Sequence, residues 1–422
     1  MARSDGSLAG ADGSTTATAG TLVDPSRRPS LTNRLLPTDQ PSRIVLAAFV
    51  AGLPATLLGY GTDIDIANVL RAGESFFDGD YELSRPPGNL PYEVTAHVLD
   101  LGLGPGGVVL GSLVTAALAL LALASLMRSE SIDPTATVAL VVASPWWWLA
   151  STSLGDYLMA LALVLAGARA RTRDSIWIAG LCFGLAIGVR ASTVGLVAAW
   201  LLADLWGRRR DEVSPLIATG VVTVLVGAAC FVPVWLASGR SLDFVTTETQ
   251  VTNLTTLIGR WGVKNLAFWG PVAAGVLLWW LALRARVDLR WTSSRLVRFA
   301  ALGFVWTELV YLRFPWKPLH LLPAVVFAAI LFARAPRRAQ WGLGFALALN
   351  AVITLTVATP DVPHRATSGE LDLEVRPGVV LTDIGCRLDD RDLGDWPATG
   401  TTEAYDRAVG VFDCQAQLWR SD

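Results

Sequence analysis

Hydrophobic positions along this chain fall into long unbroken runs rather than alternating stretches or single stripes. About eleven runs can be delimited, at 43–60, 105–127, 135–150, 155–168, 175–189, 194–207, 214–237, 265–283, 299–312, 319–333 and 341–357. A hydrocarbon core about 30 Å thick asks for about 20 apolar residues per helix. Several runs fall short of it, notably 155–168, 175–189 and 194–207. The pattern predicts an all-α polytopic membrane protein of about eleven transmembrane helices.

Three stretches interrupt the pattern. Residues 1–40 are rich in Ser, Thr, Ala, Gly and Pro without hydrophobic periodicity, the composition of a disordered tail. They lack the basic-then-apolar layout of a signal peptide, so no cleaved leader is expected. Residues 61–104 form the longest loop of the membrane domain (41–357). Residues 358–422 form a small separate unit, where "LDLEV" (371–375), "GVVLTDI" (378–384) and "AVGVFDCQAQLW" (408–419) predict a few strands of an α/β or β unit.

Composition agrees: 52% of the 422 residues are apolar and 17% charged. Net charge is near zero, so the informative quantity is where the charges sit. About twenty of the 34 basic residues fall on one side when the N-terminus is put in the cytoplasm. This predicts a plasma-membrane protein with a cytoplasmic N-terminus and, with an odd number of spans, an extracytoplasmic C-terminus. Arg71, Arg85, Arg190, Arg240, Arg260, Lys264, Arg313 and Lys317 remain on the outer side, and the orientation rule does not account for them.

The first outer loop carries eight carboxylates: Asp63, Asp65, Glu74, Asp78, Asp80, Glu82, Glu93 and Asp100. Ile66, Val69, Leu70, Gly73 and Phe77 form one stripe of an amphipathic helix expected along the membrane surface. A second helix is expected to start with Asn89 as N-cap and Pro91 in its first turn. Between them "SRPPGN" (84–89) cannot be helical and reads as a shaped, rigid loop.

Candidate chemistry gathers on that side. Asp65 has two readings, a helix cap or a reactive carboxylate, whereas Asp63, before any helix, has less structural reason to be there. On an extended segment the D-x-D pair points one way, which is also the layout of a weak metal site; two carboxylates alone specify no coordination geometry. Asp156 in "STSLGDYLMALAL" sits at the outer end of its span, either as a cap or as a functional acid. Arg190 in "GLAIGVRASTVGLV" lies in a turn too short for a soluble domain, either paired with a loop carboxylate or held for an anion. "YLRFPWKPLHLLP" (311–323) adds Arg313, Lys317 and His320; Arg forks and Lys charges suit phosphate oxygens, and an aromatic and basic belt at the lipid headgroups is the other reading. Cys386 and Cys414 would lie outside the cytoplasm as a disulfide, while Cys182 and Cys230 read as packing residues within spans.

The succession "GTDIDIANVLRAG" (61–73), "DGDYELSRPPGNLPYE" (78–93), "STSLGDYLMALALVLAG" (151–167), "AGLCFGLAIGVRAST" (179–193) and "RFPWKPLHLLP" (313–323) resembles the GT-C superfamily of membrane glycosyltransferases, near its protein-mannosyltransferase and aminoarabinose-transferase type. The resemblance spans roughly residues 43–333. The Asp-Glu pair usual at the start of the first loop is here Asp63-Ile64, so the second acid is missing. The resemblance implies transfer of a sugar from a polyprenyl-phosphate-linked donor, with inversion, on the extracytoplasmic face. Asp63 takes the role of general base, with Asp65, Asp156 and Glu93 toward acceptor or sugar. Arg190, Arg313, Lys317, Arg85 and His320 take the donor phosphate. No cofactor is required, and a divalent metal is not supported. The expected partners are the lipid donor, a glycan, lipid or protein acceptor, and the membrane, with no nucleic acid. Two other classes stay open: a transporter of lipid or polyprenyl-phosphate-linked substrates, which would show repeated broken helices, and a non-catalytic assembly protein of the cell envelope.

Overall fold

A computed structural model describes residues 39–60, 65–153, 155–206, 213–241, 254–287, 294–314, 318–358 and 372–389. The chain is a bundle of helices whose breaks follow its prolines and glycines. The first run becomes α1 (Gln40–Gly52) and a 3-10 turn (Leu53–Leu57). In the first loop α2 (Ile66–Asp78) buries Ile66, Val69 and Leu70 against Tyr92, Ala96, Val108, Ala160 and Val189. Four of the five stripe positions thus pack inward; Phe77, at 56% exposed, does not. Gly73 is where α2 meets the next helix, since a Cβ there would lie 2.4 Å from that of His97.

α3 (Leu90–Ser129) follows the N-cap Asn89 with a proline in its first turn, as its sequence predicts. It is two limbs joined at Gly104, whose φ of 64° and ψ of −164° only glycine adopts without strain. Pro105 then cannot continue the hydrogen-bond ladder. The third run is likewise broken. α4 (Thr135–Ala143) ends before Ser144, which stands extended at φ −73°, ψ 127° because a residue before proline is pushed out of the helical region, and α5 (Pro145–Thr152) follows. α5 and α6 (Asp156–Arg171) are bent against each other by 104°.

α7 (Ile176–Val189), α8 (Val194–Leu205) and α9 (Ser214–Ala237) come next. Gly180, Gly184 and Gly188 line one face of α7 at four-residue spacing, and a Cβ at each would lie 2.5 Å from Val222, Val226 and Cys230 of α9. Such a small-residue face is the usual device for close helix contact where lipid gives no hydrophobic drive. Gly270, at φ 72°, and Pro271 divide the next run into α10 (Leu254–Trp269) and α11 (Pro271–Val287). α12 (Arg295–Arg313), a 3-10 turn (Pro318–Leu321), α13 (Leu322–Phe332) and α14 (Arg337–Val352) complete the bundle.

Large apolar side chains such as Leu118, Leu121, Ile217, Val224 and Leu225 stand exposed along α3 and α9, as a lipid-facing surface requires. Among the described residues α3 and α9 alone are long and apolar enough to cross a membrane, or three spans if the bent α5–α6 pair counts as one. That is fewer than the eleven expected: breaks at Gly and Pro divide some runs, and other apolar helices, α7 among them, are short in their own right.

The end of the chain also departs from expectation. α14 stops at Val352 within the run 341–357, and the β-branched stretch "ITLTV" enters β1 (Ile353–Ala358), paired antiparallel with β2 (Asp372–Pro377) from Ile353↔Pro377 to Ala358↔Asp372. "GVVLTDI", expected as a strand, opens α15 (Val379–Asp389). Its buried positions, Val379, Asp383, Cys386 and Arg387, recur at helical rather than alternating spacing. The stretch 408–419 lies outside the described residues.

The bundle end at Glu130, remote from the first loop, is closed by ions. Asp204, at the end of α8, takes Arg171 of α6 (Nε to Oδ2, 3.3 Å) and Arg295 of α12 (Nη1 to Oδ1, 2.8 Å), and Arg295 also reaches Glu130 after α3 at 2.8 Å. Arg298 donates to the carbonyls of Ala203 and Trp206 at 3.1 and 3.0 Å, where α8 leaves acceptors free. Asp204 is 3% exposed and faces two guanidiniums, so Asp204→Ala should lower unfolding free energy by about 3–5 kcal/mol in denaturant titration of the lipid-embedded protein. Asp174→Ala, at an exposed carboxylate paired with Arg171, should leave the transition in place.

Candidate active site

Asp156 is the first residue of α6, follows the extended N-cap Gly155, and is 2% exposed. A carboxylate this deep needs opposite charge. It receives Arg190 Nη1 at 2.7 Å and Arg85 Nη2 at 2.8 Å, both on Oδ2. Of its two sequence readings, the cap is not what the geometry contains, for Gly155 occupies that place.

Arg190 is brought there by the end of α7. Its backbone turns extended, at φ −155°, ψ 108°, before the 3-10 turn Ala191–Thr193 that leads into α8. Its guanidinium carbon stands 3.8 Å from the centroid of the Tyr157 ring, a cation–π contact that leaves the fork pointing at Asp156.

Arg85 comes from the rigid loop. Glu93, on the first turn of α3 and fully buried, holds that loop through both oxygens: Tyr81 Oη donates at 2.5 Å, and Ser84 donates from Oγ at 2.5 Å and from its backbone N–H at 3.2 Å. The Arg85 carbonyl accepts from Gly88 N–H at 2.6 Å. The Asn89 amide, oriented so that both its ends find partners, accepts from Arg85 Nε at 3.1 Å and Nη2 at 3.2 Å while donating to the Gly88 and Val189 carbonyls. Glu93 thereby supports Arg85 from behind.

Arg85 also pairs with Asp65. Asp65 is the N-cap residue of α2 but makes no side-chain capping bond; its carboxylate is committed to the guanidinium. A chain of alternating charge, Asp65, Arg85, Asp156, Arg190, thus runs from the first loop through α6 to α7. Asp63 lies outside the described residues, so the spatial relation of the D-x-D pair is not described.

Beside Arg190 a small solvent-open cleft is lined by Tyr157, Thr193, Trp306, Thr307 and His320, among others. His320 is carried by the turn before α13, its ring 5.4 Å from that of Tyr157 and 6.4 Å from that of Tyr311. Arg313, at the end of α12, is exposed and lies over Phe314 instead of joining the Asp156 cluster. Lys317 and Cys414 lie outside the described residues; Cys386 is buried and disulfide-bonded. Among the described residues no three acidic, histidine or cysteine side chains converge on one point.

Two charged positions escaped the sequence reading. Asp204 and Glu308 are acids inside apolar runs, a signal that was available. Glu308, on α12, accepts from Trp261 Nε1 at 2.8 Å and Asn265 Nδ2 at 3.1 Å and so ties α10 to the bundle.

No known family profile and no curated protein matches this chain. Among solved structures it is similar to ArnT from Cupriavidus metallidurans bound to undecaprenyl phosphate, at 16% identity and a TM-score of 0.49, over 88% of this chain and 75% of that one. It is also similar to ArnT from the same organism in the apo state, at 15% identity and a TM-score of 0.47, over 88% and 74%.

Tyr81 offers a test of the loop. Burial first, then the Glu93 charge and its hydrogen bond, push the phenol far above its ordinary value. With the folded value raised, its contribution to stability is present below about pH 10 and is lost as pH rises through the folded value. Spectrophotometric titration, read as the difference between wild type and Tyr81→Phe, should find Tyr81 silent where free tyrosine ionises. Glu93→Gln should bring its ionisation down.

Proposed function

We propose that the protein is an integral membrane glycosyltransferase that moves a sugar from a polyprenyl-phosphate-linked donor to an acceptor hydroxyl on the extracytoplasmic face. The observation that carries this reading is the buried Asp156 carboxylate holding two guanidiniums beside a cleft at one end of a lipid-facing bundle. An anionic lipid headgroup arriving from the membrane would meet Arg190 first, at the cleft. Arg forks take phosphate oxygens in two parallel bonds, and the Asp156 partnership keeps the fork aimed until the headgroup arrives.

The chemistry follows from the charges. The acceptor oxygen attacks the anomeric carbon as a base removes its proton; the bond from that carbon to the phosphate oxygen breaks, and the electron pair leaves with the prenyl phosphate. One displacement inverts the anomeric centre. The developing phosphate charge is met by Arg190 and Arg85, with His320 at the cleft wall and with Arg313 and Lys317 as the further cations assigned to the phosphate, so no separate acid is needed. Asp65 is paired with Arg85, and the base is assigned to Asp63, the role that the family resemblance gives the first acid of this loop. Asp156 orients both arginines and Glu93 braces the loop that carries one of them. The reaction itself asks for no metal.

The test is transfer by purified protein in lipid vesicles supplied with radiolabelled polyprenyl-phosphate sugars. Asp63→Asn should lower kcat by about 10²–10⁴-fold with donor binding retained. Arg190→Ala should raise donor KM about 10-fold or more, the loss of a charge-assisted bond. An Asp63→Asn protein as active as wild type would remove the base assignment. The bent α5–α6 break beside a buried acid also suits a lipid transporter; labelled lipid that crosses the vesicle without releasing sugar would establish that reading instead.

A further inference from the structure

The segment that delivers Asp156 is gripped from the far end of the chain. Arg387, on α15 and 4% exposed, donates through Nη1 to the Thr152 carbonyl at 2.9 Å and through Nη2 to Ser153 Oγ at 2.9 Å and Thr152 Oγ1 at 3.4 Å. Asp383, one turn earlier on the same helix, holds the fork at 3.0 Å. Thr152 closes α5, Ser153 leaves it in extended conformation, and Asp156 begins α6 three residues on.

The grip is itself anchored. α15 enters through Gly378, whose N–H donates to the Val352 carbonyl at 2.7 Å and where a Cβ would lie 2.3 Å from the Ala351 carbonyl carbon, so only glycine fits against the end of α14. The β1–β2 pair returns the chain to that point. A buried guanidinium and carboxylate are a costly way to attach a helix that apolar contacts would hold equally well. What the charged fork adds is direction: it binds the last carbonyl of α5, where the helix leaves acceptors free, and the hydroxyl of the next residue.

We propose that Arg387 is a positioning residue for Asp156: by fixing where α5 ends, it fixes where α6 begins, and so sets the carboxylate that aligns Arg85 and Arg190. The kinetic half of the proposal rests on the glycosyltransferase reading. The geometric half does not.

The test uses the full chain in lipid, with wild type, Arg387→Gln, Arg387→Lys, Ser153→Ala and, as control on the exposed face of α15, Leu388→Ala. Hydrogen exchange of amides 152–158 should rise about 10-fold or more in Arg387→Gln while amides of α7 keep their protection. In the transfer assay kcat should fall by about 10²-fold, the scale of an ångström-sized misplacement, with donor KM within twofold. Arg387→Lys should recover part of both, since one donor to the Thr152 carbonyl survives, and Leu388→Ala should match wild type. If Arg387→Gln does not fold, Ser153→Ala, which removes one acceptor only, should show the smaller rise in exchange and the smaller fall in kcat. Unchanged exchange at 152–158 and unchanged kcat in a folded Arg387→Gln or Ser153→Ala protein would overturn the proposal. A wild type that transfers no sugar while Arg387→Gln still loosens 152–158 would overturn the function and leave the positioning role standing.

Discussion

Everything at the site end of this bundle depends on one carboxylate that water does not reach. A bare charge at Asp156 would be prohibitive, and two guanidiniums make it tolerable. The dependence runs both ways. Arg85 and Arg190 sit on different elements, on a loop and after a helix, and Asp156 is the partner that unites them. The loop brace at Glu93, the extended backbone at Arg190 and the break before α6 are each ways of bringing one party to that meeting.

Some of this was legible in the sequence. Asp156 and Arg190 stand out because a charge at the edge of an apolar run needs a reason, Arg85 is an outer cation that the orientation rule does not account for, and "SRPPGN" announces a fixed loop through its prolines. The start of α3 at Asn89 and Pro91 was legible for the same local reason. Partnerships were not: Arg85 and Asp156 are 71 residues apart, and no local pattern says which of several outer cations a carboxylate will take. Glu93 could not be told from its neighbours, because a brace and a ligand-facing acid look identical until burial is known.

The helix breaks were written in the same alphabet but overridden by hydropathy. Ser144-Pro145 and Gly270-Pro271 each interrupt a run that is apolar throughout, and apolar content alone merges the pieces, whereas Gly104-Pro105 falls where the run 105–127 begins. At the end of the chain the opposite occurred. "GVVLTDI" is rich in β-branched residues, yet it forms a helix whose buried positions, Val379, Asp383, Cys386 and Arg387, recur at helical spacing, so packing of that face overrides local preference.

The order in which the charges occur along the chain has a bearing on biogenesis. Asp65, Arg85, Asp156 and Arg190 are all translated before α8 begins, the last two only 34 residues apart. A ribosome feeding this protein into the bilayer has therefore supplied the whole neutral set by the time α7 is released. The opposite end is different: Asp204 must wait 91 residues for Arg295. During synthesis the Asp65–Arg85–Asp156–Arg190 chain is electrically complete first, and the closure of the other end is the step left for the second half of the chain.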